Sequence, residues 1–315
     1  ECFGEPKDEY IRLATDALSF LEWLEERAQS DVYRPDEDAR DLLEETSGSL
    51  NELRRLWGLV IGGVVMFIVG VIDDRYDLPP WIQYPSYLLA AGVAIATLLI
   101  LERFNNPFTN QLVILPALFY IPLTALWITG MIVTVNWLDG LDGLATGVAA
   151  ILALVLSLHM MAVKQYSVAP QALALLGAAL GFLVYNISPA RVFLGSSGAF
   201  LLGYLLGALG LIAGGRAPTV LLVMGIPIVD VAWTILDRLR HGVSPFKGDR
   251  RHLHFRLQDA GLSTRAIVFI YWSFCALAGV LALLVSSRLY KLLALALLAG
   301  LTLVLLYYLS AKHPE

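Results

Sequence analysis

Nine apolar segments of near-span length leave this chain little choice of solvent. They lie at about 57–72, 82–101, 112–134, 144–163, 170–187, 192–213, 217–236, 267–287 and 289–310. A helix needs roughly 17–25 predominantly apolar residues to cross a bilayer. Backbone in hydrocarbon must bond to itself, so only helices and closed barrels span. Runs this long exceed the length of a strand. The expected fold is therefore all-α, a polytopic integral membrane helical bundle with about nine transmembrane helices. Only 16% of the 315 residues are charged, against about 25% in a soluble domain. The first segment reaches span length with Asn51–Trp57 or a tilt. Pro79-Pro80, Asn106-Pro107, Pro170, Pro189 and Pro218 separate segments. Pro116, Pro122 and Pro227 fall inside them, where neighbouring helices re-satisfy the backbone.

Charge is unevenly divided. Residues 1–56 carry 16 acids and 7 bases, whereas residues 57–315 carry 11 acids and 15 bases. An acidic soluble segment over 1–56 is expected ahead of a membrane domain over 57–315. Its helices are expected at Glu9–Ala28, Pro35–Glu45 and Ser49–Leu56, with no chemistry of their own. Alternating spans put the connections 73–81, 135–143, 188–191, 237–266 and 311–315 on one face. That face holds ten Lys and Arg, against five on the other. The positive-inside rule makes it cytoplasmic and the acidic segment extracytoplasmic. Two cysteines, Cys2 and Cys275, exclude a disulfide framework and a cysteine metal site. Nothing calls for a nucleic-acid partner.

Every polar cluster falls on that same face. Asp73-Asp74-Arg75-Tyr76-Asp77 closes the first apolar run. Adjacent acids repel, so they need a cation or shifted pKa values; an acidic loop paired with Arg75 is the plainer alternative. Asn136-Trp137-Leu138-Asp139-Gly140-Leu141-Asp142-Gly143 follows the third. Its acids share a face if helical, and its glycines admit a ligand close to the backbone. Five acids at the edge of a hydrocarbon layer point to function, and to a divalent metal with phosphate chemistry. Asn186 to Gly198 ends in Gly195-Ser196-Ser197-Gly198. This helix start either offers N–H groups to phosphate or begins a small-residue packing face continued by Gly203, Gly207 and Gly210. The loop from Arg238 holds Arg250, Arg251, His252 and His254, suited to phosphates or to anionic lipid headgroups. Asp237 is expected to pair with this loop, deeper Asp230 to be a site or structural partner, and His159 to be a packing residue.

These motifs, in this order, resemble the polyprenyl-phosphate N-acetylhexosamine-1-phosphate transferase superfamily over about residues 51–310. Asp73–Asp77 resembles its DDxxD, and Asn136–Gly147 its NxxDGLDGLAxG. Asn186–Gly198 resembles NxxPAxxFxGDxG, and Ser244–Leu257 resembles SPFxxDRxHLHHRL. The family has eleven spans, so the nine here correspond to its third to eleventh. The expectation is a sequence that has lost its upstream part, with a nine-span protein as the alternative. Two positions depart from the pattern: Ser196 stands where the family has a metal-binding Asp, and Phe255 where many relatives have a third His.

The resemblance implies transfer of an N-acetylhexosamine 1-phosphate, GlcNAc by the His-Leu-His pattern, from a UDP-sugar to polyprenyl phosphate with release of UMP. It implies Mg²⁺ as cofactor, with Mn²⁺ as substitute. The bilayer and both substrates are partners, and a homodimer is compatible with the family. Catalytic roles would fall to Asp73, Asp74, Asp139 and Asp142. Asn136, Asn186, Arg250, Arg251, His252 and His254 would bind substrate, and Asp142 with position 196 would hold the metal. Ser196 and the missing spans also admit a catalytically impaired relative that binds lipid or nucleotide. A CDP-alcohol phosphotransferase fits less well, because Asp139-Gly140 is followed by Leu141-Asp142 instead of Ala-Arg. A transporter would gather its acids at mid-membrane.

Overall fold

A computed structural model describes residues 37–109, 111–212, 217–242, 244, 251–285 and 287–312. The helix expected over Glu9–Ala28 lies outside these residues, as does Arg250. Contacts divide the chain into two compact units, Glu1–Arg54 and Arg55–Glu315. All described site residues belong to the second.

The first described helix, α1 (Glu37–Tyr76), runs for 40 residues. From Glu37 on, the stretches expected as separate helices at Pro35–Glu45 and Ser49–Leu56 merge in it with the first span, Pro35 and Asp36 lying outside the described residues. The chain has no proline between Pro35 and Pro79, and Gly48 at the expected break costs only about 1 kcal/mol. Pro79 then caps α2 (Pro80–Ala96), with proline at its first position, where the missing N–H is harmless.

The segment between α2 and the next helix departs from expectation. Residues 97–116 do not complete two spans. They form a two-stranded ribbon, β1 (Arg103–Asn105) paired antiparallel with β2 (Leu112–Ile114), Arg103 facing Ile114. Leu112-Val113-Ile114 is apolar enough to read as helix, but β-branched residues favour a pleated strand. Pro116 serves as the cap of α3 (Ala117–Leu138), outside the helix.

The remaining helices are α4 (Leu144–Ala162), α5 (Ala169–Asn186), α6 (Gly195–Ile212), α7 (Ala217–Val223), α8 (Gly225–Arg240), α9 (Leu253–Asp259), α10 (Thr264–Leu284) and α11 (Arg288–Lys312). Seven described helices are long and apolar enough to cross a membrane, or eight if α7 and α8 form one broken span. The remaining expected segment, 82–101, is helical over α2, which has 17 residues. The chain is an all-α integral membrane protein.

Inner and outer helices differ. Helices α4 and α6 are mostly buried among their neighbours, whereas α11 turns most of its surface outward. Helix α6 lies against α3 through its glycines. A Cβ at Gly203 would stand 2.6 Å from the Ile132 Cα, and the Trp127 Nε1–H donates to the Gly207 carbonyl at 3.0 Å. The glycine stripe is thus a packing face, with backbones in close approach.

Helices α7 and α8 are bent by 79° at Met224. Below the bend α8 is inverted relative to a soluble amphipathic helix. Asp230, Thr234 and Arg238, four residues apart, are buried, while Leu236 and Leu239 are exposed. Such a helix turns its apolar face to lipid and its polar stripe to the protein interior, where ionisable groups must find partners.

Candidate functional site

One end of the bundle collects the C-termini of α1, α3 and α5 and the N-termini of α4, α6 and α10, and the polar motifs meet there. Asp74, in the last turn of α1, reaches the first turn of α6. Its Oδ1 accepts from the Ser196 N–H at 2.7 Å and its Oδ2 from the Ser197 N–H at 3.0 Å. A carboxylate at a helix N-terminus meets both orphan N–H groups and the positive end of the dipole. Of the two openings for this Gly-Ser start, phosphate cradle or packing face, the described amides are taken up by Asp74. Gly195 has φ +65°, and a Cβ there would lie 2.8 Å from Asp74 Oδ1. Only glycine supplies that left-handed backbone and that space together.

Asp139 caps α3 beside this contact. Burial pushes its carboxyl up to about 7, with the charge of Asp74 adding to the rise. A hydrogen bond from Gly195 backbone works the other way, and Asp142 contributes a further upward push. Asp142 Oδ2 accepts from the Ala190 N–H at 3.0 Å, which ties the acid turn to the loop after α5. Buried Asn186 completes that tie. Its Oδ1 accepts from the Gly143 N–H at 3.1 Å and the Thr146 hydroxyl at 2.9 Å, and its Nδ2 donates to the Val192 carbonyl at 3.0 Å. Asn186 thus clasps two loops. Asp73 closes the α1–α2 turn in a comparable way, with Oδ1 accepting from the Leu78 N–H at 3.1 Å and from Gln83 Nε2 at 2.8 Å.

The histidines approach from the other side of the acid turn. A Cβ on Gly140 would come within 2.3 Å of His254 Nε2 and 2.8 Å of Phe255 Cζ. His254 is fully buried and its ring lies parallel to that of His252, with centroids 5.7 Å apart. Phe255, where the motif resemblance leads one to expect a third His, packs on His254 at 4.3 Å. Asp230 supports the pair from α8: its Oδ2 lies 3.2 Å from His252 Nδ1, and its Oδ1 accepts from the Leu253 N–H at 2.9 Å. Trp137, beside Asn136 and Asp139, contacts the His252 ring at 5.0 Å and lies under the Arg238 guanidinium at 4.9 Å. Arg251 pairs with Asp237 at 3.3 Å, as expected of Asp237.

Asp74, Asp139, Asp142, Asn136, His252 and His254 are thereby brought to one region, with Ser196 at its rim. In the sequence Arg238 counts only as loop charge. The spacing Asp230, Thr234, Arg238 inside an apolar segment is the signal that could have found it, because a polar i, i+4, i+8 stripe faces one side of a helix.

Among the described residues no three His, Cys, Asp or Glu side chains form a ready metal cage. The donor chemistry nonetheless fits a divalent cation. Burial raises the Asp139 carboxyl and the charges of Asp74 and Asp142 add to the rise, a repulsion that a cation relieves. Mg²⁺ in particular is held by one or two carboxylates together with substrate phosphates, not by a full protein cage.

Fold and site define an integral membrane helical bundle with an acid-and-histidine centre at one end. The sequence model of Glycosyl transferase family 4 matches residues 56–214, and the chain belongs to that family. It is 30% identical over 224 residues, 69% of this chain and 62% of the relative, to a probable undecaprenyl-phosphate N-acetylglucosaminyl 1-phosphate transferase of Bacillus subtilis. It is 32% identical over 240 residues to a decaprenyl-phosphate N-acetylglucosaminephosphotransferase of Mycolicibacterium smegmatis, covering 68% of this chain and 59% of the relative. A phospho-N-acetylmuramoyl-pentapeptide-transferase of Clostridium kluyveri is 31% identical over 208 residues, 60% of this chain and 64% of the relative. The chain spans about three fifths of the length of the first two of these curated relatives.

Proposed function

We propose that this protein transfers N-acetylglucosamine 1-phosphate from UDP-N-acetylglucosamine to a polyprenyl phosphate at the cytoplasmic face of the plasma membrane, the first membrane step of a surface polysaccharide. The observation that carries the reading is the meeting of Asp74, Asp139 and Asp142 at the start of α6, beside the parallel histidines. An oxygen of the lipid phosphate attacks the β-phosphorus of the nucleotide sugar. The bond from that phosphorus to the bridging oxygen breaks, and UMP leaves with the electron pair. A phosphate monoester loses its second proton near pH 6, so the attacking group needs little base strength.

Asp139 and Asn136 orient the nucleotide, and His252, His254, Arg250 and Arg251 hold the pyrophosphate. Asp74 faces the lipid phosphate from the end of α1, on a turn stiffened by Asp73. Asp142, with Asp139 beside it, would hold Mg²⁺ or Mn²⁺, and the ion would supply neutralisation of charge on the phosphates. Tyr76, Trp81 and Phe193, each more than 70% exposed, mark where the apolar tail arrives from lipid, aromatic rings being favoured at the membrane interface.

The test is UMP release from UDP-N-acetylglucosamine with undecaprenyl phosphate and Mg²⁺. Turnover that requires all three supports the reading; none in the full-length protein overturns it. Nucleotide or lipid binding without turnover favours the second reading, a catalytically impaired relative. That reading has one observation behind it: Ser196 adds no acid at the rim, and the amides of Ser196 and Ser197 already occupy both oxygens of Asp74.

A further inference from the structure

Asp230 lies outside the motif residues and outside the acid cluster, yet the histidine pair rests on it. It is 4% exposed, on the polar stripe of α8. Its two oxygens serve different partners. Oδ1 accepts from the Leu253 N–H at 2.9 Å, and Oδ2 lies 3.2 Å from Nδ1 of His252, itself 5% exposed. A carboxylate only accepts, so Asp230 favours the form of His252 that carries its proton on Nδ1; the Thr234 hydroxyl, 3.5 Å from the same atom, is a weaker neighbour. The bond to Leu253 fixes the first turn of α9 in the same stroke. The chain of contact then runs outward. His252 lies parallel to His254 at 5.7 Å, and His254 meets the turn at Gly140, between Asp139 and Asp142. Trp137 limits tilting of the His252 ring from 5.0 Å, and Arg238 holds Trp137 from 4.9 Å.

We propose that Asp230 is the positioning residue of the histidine pair, holding His252 in its Nδ1–H form and seating α9 so that the two parallel rings face the acid turn. For its catalytic consequence this rests on the transferase reading; for the geometry of the ring it does not.

Asp230→Asn separates the two. Asparagine has one acceptor oxygen. If that oxygen keeps the Leu253 N–H, the amide NH₂ faces His252 Nδ1 and demands an acceptor there. If it turns to His252, the NH₂ opposes the Leu253 N–H. The first arrangement shifts the neutral ring to its Nε2–H form. Nitrogen-15 NMR of histidine-labelled protein in nanodiscs reads this directly, because the chain has five histidines and His252→Gln assigns the signal. The expected result is Nδ1–H in the native protein and Nε2–H in Asp230→Asn.

In the transfer assay Asp230→Asn lowers kcat/KM by about 10- to 100-fold, the scale of removing a carboxylate that orients a functional histidine. The double variant Asp230→Asn/His252→Ala is then no slower than His252→Ala. A native His252 with Nε2–H, an unchanged ring in Asp230→Asn, or losses that multiply in the double variant each overturn the proposal. The native measurement needs only the His252→Gln assignment, so misfolding of Asp230→Asn does not block it. If the tautomer depends on Asp230 but no UMP is released, the positioning stands and the transferase reading falls.

Discussion

The acid side and the histidine side of the site are held in different ways. Asp73, Asp74, Asp139 and Asp142 each accept from backbone N–H groups, of Leu78, of Ser196 and Ser197, of Gly195, and of Ala190. Those donors belong to turns and to a helix start, so they persist whatever side chains surround them. His252 and His254 depend on side chains, a carboxylate from α8, a tryptophan from α3 and each other. The acid side is thus fixed by the path of the chain and the histidine side by packing. Substitutions on the first should remove charge and leave geometry; substitutions on the second should move geometry and leave charge.

The largest effect tests the acid side. Asp142→Ala and Asp139→Asn should each lower UMP release by about 100- to 1,000-fold, the scale of losing one preorganised electrostatic group. The fold should be kept, as read by the thermal midpoint in detergent. Unchanged turnover in Asp142→Ala removes that residue from the site. Next comes the seam between the two sides. Gly140→Ala puts a Cβ 2.3 Å from His254 Nε2, against a side chain that is fully buried and has little room to retreat. A displacement near 1 Å costs about 10- to 100-fold in kcat/KM. A silent Gly140→Ala would mean that the histidines yield easily, and the contrast between the two sides would fail.

The same contrast explains what was legible in the sequence. The spans, the all-α class and the acid motifs could be read because hydropathy and fixed short spacings carry them, and backbone donors need no signature of their own. The ribbon over 103–114 could not be read, since Leu112-Val113-Ile114 is as apolar as a helix start. The merging of 37–76 into one helix was hidden by the change from charged to apolar composition, which marks a change of surroundings and not of backbone. Asp230 stands out as deep in the sequence but its partner does not, because His252 lies 22 positions away across the bend and the loop. Asn186 belongs to a motif and is expected to bind substrate, but its amide spans two loops, a role visible only once Gly143, Thr146 and Val192 come within 3.1 Å.

Asn186→Ala therefore tests the framework behind the acids. It strands the Gly143 N–H and the Val192 carbonyl, and a buried unsatisfied polar group costs about 1–3 kcal/mol. The thermal midpoint should fall, with turnover reduced only in proportion to the folded fraction. A normal midpoint with abolished turnover would instead make Asn186 a substrate ligand.

The smallest expected effect concerns Ser196. Ser196→Asp supplies the acid that the motif resemblance leads one to expect, but places it at the rim where Asp74 already binds the Ser196 and Ser197 amides and Asp139 is driven up to about 7. A further negative charge at this partly exposed position should destabilise by about 1 kcal/mol or less, since exposed charge pairs are well screened. Ser196→Asp should then unfold at a lower temperature than the native protein in EDTA. Added Mg²⁺ should reverse the difference, because the extra acid both repels its neighbours and strengthens cation binding. Turnover should rise at low Mg²⁺ and converge with the native protein at saturation. If Mg²⁺ stabilises both proteins equally, position 196 takes no part in holding the ion. The acid side would then be complete with Asp74, Asp139 and Asp142, held by backbone alone.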